Sequence, residues 1–370
     1  MSFHYNTFLP TTKIYHPHIL ILDSLIIIAK LPSLILNMPK GNTLSSRLEK
    51  SLKRAITAPL PRPQTREGLQ KLSIPELYVI LEDMVSRDTS MAKLIKDTVV
   101  SQYSFLYELI GAVMDVRGKH IDQFTAHHLT MAREKKFLER LERAGVPLHT
   151  YTEVSEEDIS EKPSLLLVTH QGGGWENYMS QGLSGIPAGF VVKSDIMKIP
   201  FLSDAFRAKK VIPVDRHKII RSPEMRQLEI ERIASEVAER LRNRENMLIF
   251  FEGTRSSDGE IAATPKRRAW AKDLLTAIDT AWEKNSWHDG TPSFQRLLLV
   301  VHTMIAMPDV PEKDVFLSRF RLNTPIASTL VRADGLSVED SDDRYDPNTL
   351  FGKARTVLKK MLVEIILKQA

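Results

Sequence analysis

The sequence of 370 residues contains no cysteine. Within these residues a disulfide, a metal site built on thiolates and a cysteine nucleophile are therefore excluded. The absence of cysteine also agrees with a reducing compartment. Any nucleophilic or acid–base chemistry must come from hydroxyl, imidazole, carboxylate or amine groups.

The sequence also lacks a recognisable nucleic-acid-binding module, although its net charge is +5 and its pI is near 9.1. A positive balance of this kind fits an anionic partner. With nucleic acid set aside, we expect that partner to be a membrane surface or a phosphorylated substrate.

An uninterrupted apolar run long enough to span a membrane is missing as well. The N-terminal apolar segment, residues 18–36, is broken by Asp23, Lys30 and Pro32, whereas a spanning helix needs about 20 mainly apolar residues. No cluster of positive residues precedes the segment, as it would in a secretory signal. We expect a membrane-dipping or interfacial segment; a buried helix and a disordered tail are the alternatives.

Residues 45–56 follow with a basic amphipathic pattern. Leu48, Leu52 and Ile56 recur at helical spacing, and the other faces carry the basic residues Arg47, Lys50, Lys53 and Arg54. Such a helix suits an anionic membrane surface, and a solvated surface helix is the alternative. The expected location is the cytoplasmic side of a membrane, with peripheral or shallow insertion.

Composition and length predict the domain organisation. Hydrophobic residues at 42% and charged residues at 26% are ordinary for a globular protein. A proline-rich stretch at residues 59–68 reads as a stiff linker. We therefore predict a membrane-associating region with linker at 1–68, a helical subdomain at 69–147 and an α/β domain at 148–370.

The helical subdomain is predicted from caps and periodicity. Ser73 and Glu76 form a capping box that opens a helix through Met84. A later helix is expected from residue 129 to 143, before Gly145 and Pro147. His127 and His128 have no partner set at metal-ligand spacing, so no metal site is expected.

From residue 165 onward, apolar runs alternate with helical patterns. Strands are predicted at 164–168, 189–192, 211–214, 247–251 and 297–301, and helices at 223–243, 267–284 and 350–368. This alternation predicts an α/β fold with a central, mostly parallel or mixed sheet flanked by helices.

The most informative stretch begins at Leu165 and ends with His170, three glycines, Trp175 and Glu176. His170 is placed at the carboxyl end of a predicted strand, where α/β sheets bind their ligands. A histidine oriented by a nearby carboxylate works as a general base. A plain strand-to-helix turn is the alternative reading of this stretch alone.

Two later stretches change that balance. An apolar run ends at Lys193, and the next one ends at Asp215 and Arg216. Further on, another run leads directly into Glu252, Gly253, Thr254 and Arg255. In this order the three stretches resemble the motifs of the glycerophospholipid acyltransferase family, which includes the enzymes that convert lysophosphatidic acid to phosphatidic acid. The resemblance covers roughly residues 165–305.

The resemblance implies roles for individual residues. His170 corresponds to the catalytic base and Glu176 to its acid, although the family has four intervening residues where this sequence has five. An extra glycine absorbed in a bulge accommodates the difference. The ending Gly174, Trp175, Glu176 is also similar to the lipid A secondary acyltransferases, whose arrangement is one residue tighter.

The remaining motif residues correspond to substrate-binding positions. By resemblance, Lys193, Arg216 and Arg255 bind phosphate, while Glu252, Gly253 and Thr254 shape the pocket. Glu252 either contacts substrate hydroxyls or orients Arg255. Residues 266–268, Lys-Arg-Arg, either meet donor phosphates or lipid headgroups, or form a solvated charge run.

The predicted activity is transfer of a fatty acyl group from acyl-CoA or acyl-carrier protein to a lysophospholipid hydroxyl. Thr254 favours 1-acylglycerol 3-phosphate as acceptor, giving phosphatidic acid, because relatives that acylate glycerol 3-phosphate more often carry glycine there. Glycerol 3-phosphate acylation and a non-catalytic lipid-binding role remain the alternatives. Apart from the acyl donor as co-substrate, no cofactor and no metal are expected.

Overall fold

The computed structural model describes only part of the chain. The described residues are 65–87, 107–108, 110–116, 121–143, 148–154, 163–170, 185–198, 203, 206–207, 209, 211–253, 260–261, 263–285, 297–302, 326–338 and 343–369. All of them lie in one compact unit, Pro61–Ala370. The predicted N-terminal apolar segment and the basic amphipathic helix lie outside the described residues.

Seven strands form one sheet. In chain order they are β1 Leu148–Thr152, β2 Leu165–Val168, β3 Ala188–Lys193, β4 Ile212–Val214, β5 Asn246–Phe250, β6 Leu297–His302 and β7 Ile326–Arg332. Their spatial order is β1-β7-β6-β2-β5-β3-β4. The central strand β2 is thus flanked by β6 and β5.

The sheet is mixed but mainly parallel. All pairs are parallel except β6 with β7. The carboxyl ends of β2, β3, β4, β5 and β6 therefore meet at one edge, which is where ligands bind in open α/β sheets. The predicted α/β fold with a mostly parallel or mixed sheet is confirmed.

Residues 110–116 are helical, and seven further helices with defined ends accompany the sheet among the described residues. They are α1 Arg66–Lys71, α2 Ile74–Arg87, α3 Gln123–Arg143, α4 Arg216–Arg221, α5 Pro223–Arg242, α6 Pro265–Asn285 and α7 Leu350–Gln369. A short 3-10 helix, Ser194–Lys198, follows β3 directly.

The two sheet faces bury alternate residues of each strand, as the pleat requires. One face presents Leu165, Leu167 and Ile249 to a core that also contains buried residues of α2, α5, α6 and α7. The other face presents Leu166 and Val168 with their neighbours on β3, β5 and β6. Because β2 is buried on both faces, it reads as a continuous apolar run.

Helices α1 and α2 pack on the C-terminal helix α7. The capping box is present: the Glu76 carboxylate accepts from the Ser73 backbone N–H at 2.7 Å, and the Ser73 hydroxyl accepts from the Glu76 N–H at 3.4 Å. Leu77 and Leu81 of α2 belong to the same core as the sheet. The division into a helical subdomain and an α/β domain stays a prediction.

The predicted strands and the three predicted helices of the α/β part are all found, with ends shifted by one or two residues. In this part β1, β7, α4 and the 3-10 helix at residues 194–198 were not predicted. Strands β1 and β7 have mixed apolar and polar sequences, LHTYT and IASTLVR, and α4 is only six residues long. Weak periodicity in short segments gives no secondary-structure signal.

Two predicted boundaries are wrong. The linker was expected to reach Gly68, but α1 begins at Arg66 because the Thr65 hydroxyl accepts from the Gly68 N–H at 3.1 Å. The helix expected from residue 129 begins at Gln123, since the Asp122 carboxylate accepts from the Thr125 N–H at 2.9 Å. In both cases a capping side chain starts the helix earlier.

Within the described ranges no helix has the length and apolarity needed to cross a membrane.

Candidate active site

His170 lies two residues beyond β2, at the edge formed by the carboxyl ends of the parallel strands. Its ring stacks on the ring of Phe250 at the end of β5, with centroids 4.3 Å apart and planes inclined by 29°. The Thr169 N–H just before it donates to the Val300 carbonyl of β6 at 3.1 Å. The histidine is thus held between two strands while remaining partly exposed.

Glu252 connects His170 to the turn after β5. Its side chain is fully buried, and its Oε1 accepts from the backbone N–H of His170 at 2.7 Å. Its Oε2 accepts from the Arg267 guanidinium at 3.0 Å. A buried carboxylate needs such partners because desolvation strongly disfavours its charge.

Gly253 forms the turn that carries Glu252. Its N–H donates to the Phe250 carbonyl at 3.0 Å, and its φ is +66°, in the left-handed region that favours glycine. A Cβ at this position would lie 2.6 Å from Cδ1 of Trp270 on α6. The third motif therefore requires glycine here for both conformation and space.

Arg216 comes to the same edge from β4. Its guanidinium donates to the Gly253 carbonyl at 3.2 Å, which joins the second motif to the third. The turn before it is fixed by Asp215, whose carboxylate accepts from the N–H of His217 at 2.9 Å and caps α4. Glu229 of α5 accepts from the Asp215 backbone N–H at 2.9 Å.

Lys193 ends β3 and forms an ion pair with Asp195 at 3.0 Å. Lys198 contacts the same carboxylate at 2.9 Å. Hydrogen bonds from Lys198 and Lys193 lower the pKa of Asp195 to about 2. Asp195 is therefore charged at neutral pH and holds the Lys193 ammonium near the carboxyl end of β3.

The basic run at residues 266–268 opens α6, and its members differ. Lys266 is exposed, whereas Arg267 binds Glu252 and Arg268 donates to the Ala263 carbonyl. The two arginines are thus engaged inside the fold, so the run is not a uniform solvated or headgroup-binding patch. Sequence reasoning did not single out Arg267; its only signal was a cation in the first turn of a helix, where cations are disfavoured.

The structure brings together four of the predicted site positions. His170, Arg216, Glu252 and Gly253 are joined by the contacts above. Lys193 lies at the carboxyl end of β3, the strand between β5 and β4. Glu176, Thr254 and Arg255 lie outside the described residues, and the roles of all these residues stay predictions. Phe250 was not predicted as a site residue, because an aromatic at a strand end reads as core.

No group of three potential ligands that could hold a metal ion occurs in the described part of the chain. His127 is buried on α3, and burial, followed by the charges of Lys209, Arg240 and His128, lowers its pKa to about 3. It is therefore a neutral core histidine at physiological pH.

Comparison with known proteins gives a family-model match over part of the chain. Residues 151–275 match the family model described as Acyltransferase, a range that includes β2 to β5 and the start of α6. No curated protein matches the chain. Among solved structures, the chain is similar to the 1-acyl-sn-glycerophosphate (LPA) acyltransferase PlsC from Thermotoga maritima, with 17% identity, a TM-score of 0.44, and coverage of 74% of this chain and 97% of that one.

Proposed function

We propose that the protein transfers a fatty acyl group from acyl-CoA or acyl-carrier protein to the hydroxyl of a lysophospholipid, a proposal supported by the match of residues 151–275 to the family model described as Acyltransferase. The acceptor we favour is 1-acylglycerol 3-phosphate, which would give phosphatidic acid. The observation that carries the proposal is the convergence of His170, the buried Glu252 and Arg216 at one sheet edge.

In the proposed reaction, His170 removes the proton from the acceptor hydroxyl as that oxygen attacks the thioester carbonyl carbon. A tetrahedral intermediate forms, and its collapse breaks the carbon–sulfur bond. The imidazolium returns the proton to the departing thiolate, so the products are an ester and a free thiol. Glu176 is the proposed orienting acid, which fixes the tautomer of His170 and stabilises the imidazolium.

The acceptor phosphate is assigned to the cations of the same edge. Lys193 and Arg216 lie at the carboxyl ends of neighbouring strands β3 and β4, and Arg255 follows the Gly253 turn in sequence. Guanidinium groups suit this task because their planar fork matches phosphate oxygens. Glu252, Gly253 and Thr254 form the wall of the pocket in this proposal.

The membrane is the proposed site of action. The acceptor is a lipid, and the N-terminal sequence combines an interrupted apolar segment with the basic residues Arg47, Lys50, Lys53 and Arg54. Basic residues of this kind attract a chain to anionic cytoplasmic leaflets. The protein would then act as a peripheral or shallowly inserted enzyme.

The test compares wild type with His170→Ala in acyl transfer to 1-acylglycerol 3-phosphate and to glycerol 3-phosphate. Loss of the base should lower kcat by about 10²–10⁴-fold without loss of fold by circular dichroism. Glu176→Gln should also lose activity while keeping the side-chain shape.

Each contrary result has a distinct meaning. Activity of His170→Ala within threefold of wild type would contradict the role of the base. Preference for glycerol 3-phosphate would correct the acceptor. Lipid binding by wild type with no transfer to either acceptor would replace the enzyme proposal with a lipid-binding function.

A further inference from the structure

Arg267 occupies an unusual place in the site. It lies in the first turn of α6, where its side chain is 14% exposed and contacts a Glu252 carboxylate that is 0% exposed. The other oxygen of that carboxylate accepts from the backbone N–H of His170 at 2.7 Å. A single buried carboxylate thus connects the α6 arginine to the backbone of the proposed base.

The position of Arg267 works against the helix that carries it. The positive end of the helix dipole disfavours cations, and residues 266–268 place three there. For Lys266, which is exposed, solvent screens this cost. Arg267 is only 14% exposed and is screened less, so its charge needs partners within the fold, and Glu252 is one of them.

We infer that Arg267 is a positioning residue for acyl transfer: through Glu252 it fixes the backbone of His170, and hence the imidazole, relative to the Gly253 turn. The kinetic part of this inference rests on the proposed function. The structural part, an arginine that fixes the geometry of His170, does not.

The contacts explain why a substitution of Arg267 would displace the imidazole of His170. Without the guanidinium, the Glu252 carboxylate loses the hydrogen-bonded cation that fixes its Oε2, and the buried side chain can then shift. Such a shift weakens the short, charge-assisted bond of Glu252 to the His170 N–H. Misplacement of a catalytic group by a fraction of an ångström lowers the rate far more than it affects substrate binding.

A matched control lies at the opposite end of β5. Arg240 of α5 forms a comparable pair with Glu245, just before the strand, at 3.2 Å and with side-chain exposures of 19% and 28%. Arg240→Met therefore removes an arginine–glutamate pair that contacts the same strand but not the site. Arg267→Lys is the conservative variant, since it keeps the charge and loses the planar fork.

The first measurement separates kcat from KM for wild type, Arg267→Met, Arg267→Lys and Arg240→Met. Arg267→Met should lose about 10–100-fold in kcat with KM within about threefold, because the geometry of the base changes and the acceptor contacts do not. Arg267→Lys should fall between wild type and Arg267→Met. Arg240→Met should keep kcat within about twofold, even if its melting temperature falls by as much as that of Arg267→Met.

The second measurement needs no activity. Protein labelled with ¹⁵N-histidine contains 11 labelled positions, and the spectrum of His170→Ala identifies the His170 amide. A bond of 2.7 Å to a carboxylate should place this amide proton far downfield. The resonance should move upfield in Arg267→Met and Arg267→Lys but remain in place in Arg240→Met.

The outcomes are decisive in each direction. An unmoved His170 amide in the Arg267 variants, or a kcat loss no larger than that of Arg240→Met, overturns the inference. If Arg267→Met does not fold, Arg267→Lys decides by the same two criteria. A wild type without acyl transfer contradicts the proposed function instead, and the amide shift then still decides the positioning role.

Discussion

At the scale of single residues, the candidate site depends on a few backbone contacts more than on side-chain chemistry. The His170 N–H binds Glu252, and the Gly253 carbonyl accepts from Arg216. These contacts join the segments that follow β2, β4 and β5. The Glu252 side chain is fully buried, and its two oxygens hold the backbone of His170 and the guanidinium of Arg267 in place.

Gly253→Ala tests how strictly the turn that carries Glu252 requires glycine. Alanine pays about 1–2 kcal/mol for the left-handed conformation, and its Cβ would lie 2.6 Å from Trp270, which adds overpacking strain. Gly335→Ala is the matched control, because Gly335 has φ +76° with nothing within 4 Å of its added Cβ. Urea unfolding should show a larger loss of stability for Gly253→Ala, and its acyl transfer should fall while Gly335→Ala stays active. Equal losses of unfolding free energy in the two variants would show that the Trp270 side chain moves aside without a measurable loss of stability.

At the scale of elements, the predicted strands share a strong sequence signal. β2 and β5 are buried on both faces and read as unbroken apolar runs, so their ends, and with them His170 and Glu252, were placed within a residue or two. β7 carries Ser328 and Thr329 in buried positions, which gives a polar-looking sequence that reads as loop. Its burial depends on pairing with β1 and β6, a long-range property that local pattern does not contain.

The same limit applies to the site. Motif spacing placed His170, Arg216 and Glu252 at strand ends, and the parallel sheet then brings those ends together. The contact between Glu252 and Arg267 joins residues that are 15 positions apart in the sequence. Nothing in the sequence shows that Arg267, and neither Lys266 nor Arg268, contacts Glu252, because the orientation of the helix decides which side chain reaches that carboxylate.

The α3 helix carries a testable pH dependence in His127. Burial lowers the pKa of His127 from 6.5 to about 3. Between pH 6.5 and pH 3, His127 is therefore protonated in the unfolded chain but neutral in the native state. The stability due to neutral His127 is present above pH 6.5 and is lost as the pH falls toward 3. Between pH 7.5 and 5, wild type should lose about 2 kcal/mol more unfolding free energy than His127→Leu does.

The neighbouring exposed His128 provides the control for that measurement. His128→Leu should keep most of the wild-type dependence of unfolding free energy on pH, because burial is the main cause of the lowered pKa of His127 and the charge of His128 contributes little. Differences between pH values cancel any constant packing cost of the leucine. A wild-type slope in His127→Leu would mean that another group carries the acid sensitivity, with the buried Glu134 and Lys209 pair as the next candidates.

At the scale of the whole molecule, the described core is continuous from α1 to α7. Leu69 of α1, Ile249 of β5 and Leu362 of α7 belong to one cluster of buried residues, and Arg66 of α1 forms an ion pair with Glu364 of α7. The first 60 residues lie before this compact unit, Pro61–Ala370. Fold and membrane association are therefore expected to separate along the chain.

Deletion of residues 1–60 tests that separation. The truncated protein should keep its circular dichroism spectrum and its thermal unfolding, because the compact unit from Pro61 onward is intact. Its binding to liposomes with anionic lipid should weaken, since four basic residues near such a surface contribute about 1 kcal/mol each.

Replacing Arg47, Lys50, Lys53 and Arg54 with glutamine in the full chain should remove the dependence on anionic lipid but keep any binding due to the apolar segment. If the truncated protein sediments with anionic liposomes as well as the full chain does, the membrane contact lies within residues 61–370, and the exposed cations at the carboxyl ends of the parallel strands become the surface to test.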